Sequence, residues 1–175
     1  RLSDQPFAAK YPGLHTSGID SKRNYIYRSI VADCLRVMDY LVSCDDVDSQ
    51  KISLVGGDLA LFTAALRDSA SVLFYTPSLF YKALHKATAT QNYPLEEFND
   101  YLRSFPQSIN QISQTLAYFE PMNFASRVKS EVMLMEESEG DANDLAVSFS
   151  REIERSGSKH SSYKDGVVLA EWLSK

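Results

Sequence analysis

Long hydrophobic runs, clustered basic charge and cysteine or histidine in metal-type spacing are all scarce in this chain, and each scarcity removes a class of function. No apolar run approaches the roughly 20 residues that span a bilayer, and no apolar signal region opens the sequence, so no membrane partner is expected. The first residue is Arg rather than Met, which leaves the original targeting unreadable. Lys and Arg number 18 against 23 acidic residues, and they are scattered without a basic stripe, so a nucleic-acid partner has no electrostatic footprint. Cys34 and Cys44 are the only cysteines and the three histidines lie far apart, so neither a metal site nor a cofactor is expected. Two unpaired thiols suit a reduced compartment and favour the cytoplasm.

What remains is ordinary for a globular protein. With 44% apolar and 23% charged residues over 175 positions, the composition predicts a single domain with a substantial core. There is no internal repeat and no low-complexity stretch.

The informative stretch is Lys51-Ile52-Ser53-Leu54-Val55-Gly56-Gly57-Asp58-Leu59-Ala60. The apolar run 52–55 reads as a buried strand and 59–66 as a helix, with Asp58 at the turn between them. A strand, a tight turn and a helix with small residues two before and two after the apex form the context of a nucleophile elbow. Gly56 and Ala60 are those small residues, and the geometry would thrust the Asp58 side chain outward.

Around this turn the pattern is α/β. Residues 1–18, with Pro6, Pro12, Gly13 and Gly18, read as an irregular arm. The spacing predicts a helix over 20–43 with Asp20 as N-cap, then an acidic turn. A second strand is expected over 71–75, and two strands joined by a helix imply a parallel sheet. Helices over 78–88, 94–105 and 106–116 form an insertion at about 78–117, of the kind that covers ligand sites. A third strand is expected over 131–135, an acidic loop over 136–144, a helix over about 145–155 and a last helix over 165–174. In that last helix Val167, Val168, Leu169, Trp172 and Leu173 should pack inward.

In order along the chain, Gly18-Ile19-Asp20 with Tyr25-Ile26-Tyr27-Arg28, the Val55-Gly56-Gly57 elbow, Tyr101-Leu102-Arg103, Thr115-Leu116-Ala117-Tyr118-Phe119 and Asn123-Phe124-Ala125-Ser126-Arg127-Val128-Lys129 resemble the acetyl xylan esterase and cephalosporin C deacetylase family. The resemblance runs in register from about residue 11 to 135 and loosely beyond. It implies an α/β-hydrolase fold, removal of acetyl groups from sugars and related esters through a Ser, Asp, His triad, and ring-like homo-oligomers.

The departures bear on function. Asp58 stands where the family pattern Gly-Gly-Ser-Gln-Gly-Gly places the nucleophilic Ser, and Leu59 replaces the Gln whose backbone N–H helps form the oxyanion hole. Counting from Val132 makes Asp141 the counterpart of the triad acid, and His160 takes the place of the triad His before the last helix. The segment between Leu145 and His160 is shorter than the family pattern, with no recognisable strand before the His. The family's first half has no counterpart in this sequence, so the sheet is expected to have about three parallel strands, with the elbow strand as an open edge that wants a partner: a separate N-terminal half, another copy, or a part of the same protein beyond this sequence.

Three functional readings follow. The first is a catalytically silent relative that binds a sugar ester or serves as a partner subunit; a carboxylate at the elbow suits the positive end of a helix but repels an ester oxyanion. The second is a hydrolase in which Asp58 attacks carbon and His160, oriented by Asp141, activates water for release. The third routes deacetylation through Ser53, Ser78, Ser161 or Ser162, none of which sits on a strained turn. His15 reads as a surface residue of the arm, His85 as a half-exposed helix residue, and Tyr118 and Phe119 as core. Glu136, Glu137, Glu139, Asp141 and Asp144 read as a solvated loop rather than a Ca²⁺ site.

Overall fold

The computed structural model describes residues 13–138 and 140–174. These fall into two compact units, one of residues up to Asp33 with Lys82–Glu120, the other of Cys34–Tyr81 with the residues from Pro121 onward. The first part of helix α1 (Ile26–Ser43) belongs to the former unit and the rest to the latter.

The larger unit carries a sheet of four parallel strands in the order β1 (Ser53–Gly56), β2 (Val72–Tyr75), β3 (Glu131–Glu136), β4 (Glu154–Gly157). One register row runs Val55, Phe74, Met133, Glu154 across all four. Helices α2 (Asp58–Leu66), α6 (Met122–Ala125) and α7 (Asn143–Ala146) cover one face, where Leu73, Tyr75, Val132 and Leu134 pack with Leu61, Ala64, Ala125 and Leu145. On the other face, Phe74, Met133 and Met135 pack with Trp172 of α8 (Ser162–Leu173). Burial on both faces is why β2 and β3 read as continuous apolar runs rather than alternating ones.

The smaller unit holds α3 (Ala83–Ala89), α4 (Glu96–Ser104) and α5 (Ile109–Tyr118). Its interior is made of Ile19, Tyr25, Phe98, Ile112, Leu116 and Phe119. His15, placed at the surface by sequence, is half-buried there: its ring nitrogens meet the hydroxyls of Tyr27 at 2.6 Å and Tyr93 at 2.9 Å. Burial holds its pKa below the ordinary histidine value despite the nearby Glu97 carboxylate.

Several expectations need correction. The sheet has four strands, because a polar segment, Glu154–Gly157, pairs in parallel with β3 where a helix over 145–155 was expected; α7 stops at Ala146. Those strand residues carry no apolar alternation, so periodicity is silent about them. Helix α1 starts at Ile26 rather than near Asp20, because Asn24 and Tyr25 donate to the Ser21 carbonyl in a turn that follows Gly18 at φ 71°. The helix expected from 78 starts at Ala83, since the backbone of 78–80 is committed to Asp58. Val167 and Leu173 are exposed on α8, and Tyr118 is exposed at the end of α5, whereas Phe119 is core. Of the irregular arm, residues 1–12 lie outside the described residues.

Candidate functional site

In a parallel sheet all the carboxyl ends face one edge, and ligand sites of open α/β folds gather there. Asp58 follows β1, Asp141 follows β3 and His160 follows β4, so the three sequence-predicted residues share that edge.

Asp58 is the first residue of α2, behind Gly57 as N-cap. Gly56 has φ 151°, a conformation side-chain-bearing residues rarely adopt, and a Cβ on Gly57 would collide with Ser78. These two glycines let β1 turn sharply into α2. The Asp58 side chain is not thrust outward as expected: it is 2% exposed. Its Oδ1 accepts from the Tyr75 hydroxyl at 2.9 Å and the Ser78 N–H at 3.2 Å, and its Oδ2 accepts from the Phe80 N–H at 2.6 Å. In return the Asp58 N–H donates to Ser78 Oγ at 3.2 Å. Elbow and post-β2 loop are thereby laced together, with both carboxylate oxygens occupied by donors.

Asp141 is exposed. Its backbone holds the turn: the N–H donates to the Ser138 carbonyl at 3.1 Å, and its carbonyl accepts from the Tyr81 hydroxyl at 3.2 Å. The same hydroxyl donates to the Asp144 carboxylate. His160 is also exposed, with φ 50°, and its backbone N–H donates to Ser158 Oγ at 3.0 Å. The neighbouring Asp165 is held below the usual carboxylate range by the Lys159 N–H and the Ser158 hydroxyl, with a smaller contribution from His160.

No hydrogen bond joins the side chains of Asp58, Asp141 and His160 to one another. Strands stand about 4.8 Å apart, so β1 and β4 are separated by roughly 14 Å across the sheet. Only a loop leaning over β2 and β3 brings His160 to Asp58, and the post-β4 loop instead bonds locally to Asp165.

A second buried carboxylate was missed by sequence reasoning. Glu136, read above as part of a solvated loop, is 3% exposed at the end of β3. Arg155 of β4 donates to it from Nε at 3.0 Å and from Nη2 at 2.7 and 2.8 Å, and the Ala142 N–H adds a bond at 3.0 Å. Burial works against its ionised form, but Arg155 and the Ala142 N–H outweigh it and hold the Glu136 carboxyl below the usual range. The available signal was a carboxylate closing an otherwise apolar strand run, Val132-Met133-Leu134-Met135-Glu136. Among the described residues no group of three or more His, Cys, Asp or Glu side chains is placed to hold a metal ion, and no helix is long and apolar enough to cross a membrane.

The comparisons with known proteins agree in kind. The acetyl xylan esterase (AXE1) family model matches residues 2–142. The chain is 33% identical over 129 residues to acetyl esterase Axe7A of Xylanibacter ruminicola, covering 70% of this chain and 28% of that protein. In fold it is similar to an acetyl xylan esterase from Paenibacillus sp. R4, with TM-score 0.83 and 21% identity, over 95% of this chain and 58% of that one. It is similar as well to acetyl xylan esterase 1 from Thermoanaerobacterium sp. JW/SL YS485, with TM-score 0.76 and 18% identity, over 95% of this chain and 59% of that one. The chain thus spans less than two thirds of the length of each of these relatives. The family model's match over residues 2–142, most of the chain, shows that this chain belongs to the acetyl xylan esterase family.

Proposed function

We propose that this chain is a catalytically silent member of its family, in which Asp58 serves the fold and any remaining role toward an acetylated carbohydrate or small ester is one of binding. The observation that supports this reading is the occupancy of the Asp58 carboxylate. Both its oxygens point at the Tyr75 hydroxyl and the backbone N–H groups of Ser78 and Phe80. A nucleophile must direct a lone pair at substrate and be served by a base, and the developing oxyanion needs N–H donors of its own. Here the Tyr75, Ser78 and Phe80 donors are spent on the carboxylate, His160 does not bond to it, and a buried carboxylate opposes negative charge on an ester carbonyl.

The comparison family acts on acetyl esters, so the test is hydrolysis of p-nitrophenyl acetate by the chain and by its Asp58→Asn and Asp58→Ser variants. The reading expects no turnover above buffer in any of the three. Turnover that disappears in Asp58→Asn makes Asp58 a working nucleophile and reverses the reading. Substantial deacetylation by Asp58→Ser shows that an oxyanion hole survives. Association with a second copy or with a further segment of the fold belongs to the same proposal; the 53% exposure of Val55 on β1 supports it, and sedimentation of the purified chain tests the homo-oligomer.

A further inference from the structure

The smaller unit holds a histidine whose every polar atom is engaged. His15 sits in a single 3₁₀ turn, Leu14–Thr16. Its backbone N–H donates to Glu97 Oε2 at 2.9 Å, and its carbonyl accepts from the Tyr25 hydroxyl at 2.7 Å. Its ring stacks on that of Tyr27, with Nδ1 2.6 Å from the Tyr27 hydroxyl and Nε2 2.9 Å from the Tyr93 hydroxyl. Glu97 approaches closely, its Oε2 lying 2.3 Å from where a Cβ on Gly13 would stand. One residue thus ties the 13–17 segment to the start of α1, to the turn before α4 and to α4 itself, all within one compact unit.

A neutral imidazole carries one donor and one acceptor, so one tyrosine hydroxyl donates to the ring and the other accepts from it. The shorter contact suits an O–H donor and the longer one an N–H donor, which assigns the hydrogen to Nε2 and makes Nδ1 the acceptor of the Tyr27 hydroxyl. A second proton turns both ring nitrogens into donors. It has to enter at Nδ1, where the Tyr27 hydroxyl hydrogen already points, so that hydrogen must turn away. Tyr93 is 70% exposed and can exchange its partner with water, whereas Tyr27 is 8% exposed and lies against the ring. Facing the imidazole among the described residues are Tyr25 and Tyr27 from the start of α1, Tyr93 from the turn before α4 and Glu97 from α4. Burial pushes the Tyr25 phenol up, so that hydroxyl stays protonated and keeps donating. Burial opposes the imidazolium more than Glu97 favours it. We propose that His15 is a proton-sensitive clasp, whose protonation at Nδ1 displaces the Tyr27 hydroxyl and loosens the 13–17 segment from α1 and α4. Because the folded chain holds His15 neutral, the stabilisation it brings is complete above the ordinary value of 6.5 and is lost as pH falls from there toward the lower folded pKa. The inference does not rest on the silence of Asp58, which belongs to the other unit.

The test is long-range proton–nitrogen NMR of the imidazole rings in the intact chain from about pH 8 to about pH 5, with amide hydrogen exchange over the same range. His15 is the ring signal retained in both His85→Gln and His160→Gln, two changes at exposed positions. Its ring is expected to carry the hydrogen on Nε2 near neutrality and to take up a proton at Nδ1 below pH 6.5. The amides of Leu14, Thr16, Tyr27 and Glu97 should shift along the same curve. Protection of the His15 and Ile26 amides, which donate to Glu97 and to the Ser17 carbonyl, should fall several-fold across that titration once intrinsic exchange is corrected for. Tyr27→Phe has no hydroxyl to displace, so the fall in protection should flatten while the ring still titrates. A His15 that titrates at or above 6.5, a ring protonated on Nδ1 near neutrality, amides that do not follow the ring, or an equal fall in protection in Tyr27→Phe would each overturn the proposal.

Discussion

The two ends of the sheet solve the same problem in different ways. At the β1–β2 end the buried Asp58 ties a loop to the elbow with three neutral donors. At the β3–β4 end the buried Glu136 ties the loop at 140–143 to β4, with a guanidinium as main partner. The neutral arrangement keeps a carboxylate inside without a countercharge, by committing two backbone N–H groups and a hydroxyl to it. The charged arrangement leaves Arg155 half in solvent, beside an open cleft. The contrast teaches that the carboxylate at the elbow is the more enclosed of the two, while the one that closes β3 borders the more available surface.

The largest expected effect breaks the first arrangement. Asp58→Ala leaves the Tyr75 hydroxyl and two N–H groups without their acceptor, and unsatisfied buried groups cost about 1–3 kcal/mol each, not additively. A loss on the order of 4 kcal/mol in urea-unfolding stability is expected. A loss under about 1 kcal/mol would mean that water replaces the carboxylate and that the site is more open than its burial implies. Tyr75→Phe, which removes one donor and leaves two, should cost about 1–2 kcal/mol.

Next in size is the second arrangement. Breaking a fully buried pair costs about 3–5 kcal/mol, and here the half-exposed Arg155 reduces that, so Glu136→Gln should cost about 2 kcal/mol. The two ends should also differ in pH. The folded Glu136 pKa is lowered from 4.5, so its stabilisation is fully present above that value and is lost as pH falls through the lower folded pKa. The gap in stability between the parent and Glu136→Gln should therefore be constant near neutrality and shrink below about pH 4.5. Urea unfolding of both proteins at a series of pH values measures it; a gap that stays constant into that acid range would show that Arg155 does not hold the carboxylate in its ionised form.

The same contrast explains what could be read from sequence. Strands β2 and β3 follow from apolar runs because burial on both faces writes itself into composition, whereas β1, read as a buried strand, has Val55 53% exposed, and Asp141 and His160 were placed by family resemblance rather than by any apolar pattern. Strand β4 was not legible, since Glu154, Arg155 and Ser156 are polar in a short outer strand and look like a helix or loop. Tertiary bonds set the start of α3: nothing local in Ser78-Leu79-Phe80 says that its N–H groups turn back to a residue 20 or more positions earlier. Glu136 was misplaced for the same reason, its partner Arg155 being 19 positions away. Sequence periodicity reports which face is apolar, and it does not report which backbone groups a distant carboxylate will claim.

The smallest effect concerns His160, and it sharpens the comparison from the other side. An L-residue at φ 50° lies in the left-handed region, which costs about 1 kcal/mol relative to glycine for a side chain without local compensation. The imidazole is exposed and makes no hydrogen bond to Asp58 or Asp141, so little opposes its removal. His160→Gly is then expected to leave stability unchanged or raise it by up to about 1 kcal/mol, because relief of strain competes with the greater freedom of the unfolded glycine chain. His160→Ala should be neutral or slightly destabilising, within about 0.5 kcal/mol. If His160→Gly instead destabilises the fold by more than about 1 kcal/mol, the imidazole is engaged with the sheet edge in solution. The two ends of the sheet would then be joined through the histidine, and the local bonding of the post-β4 loop to Asp165 would not be its working arrangement.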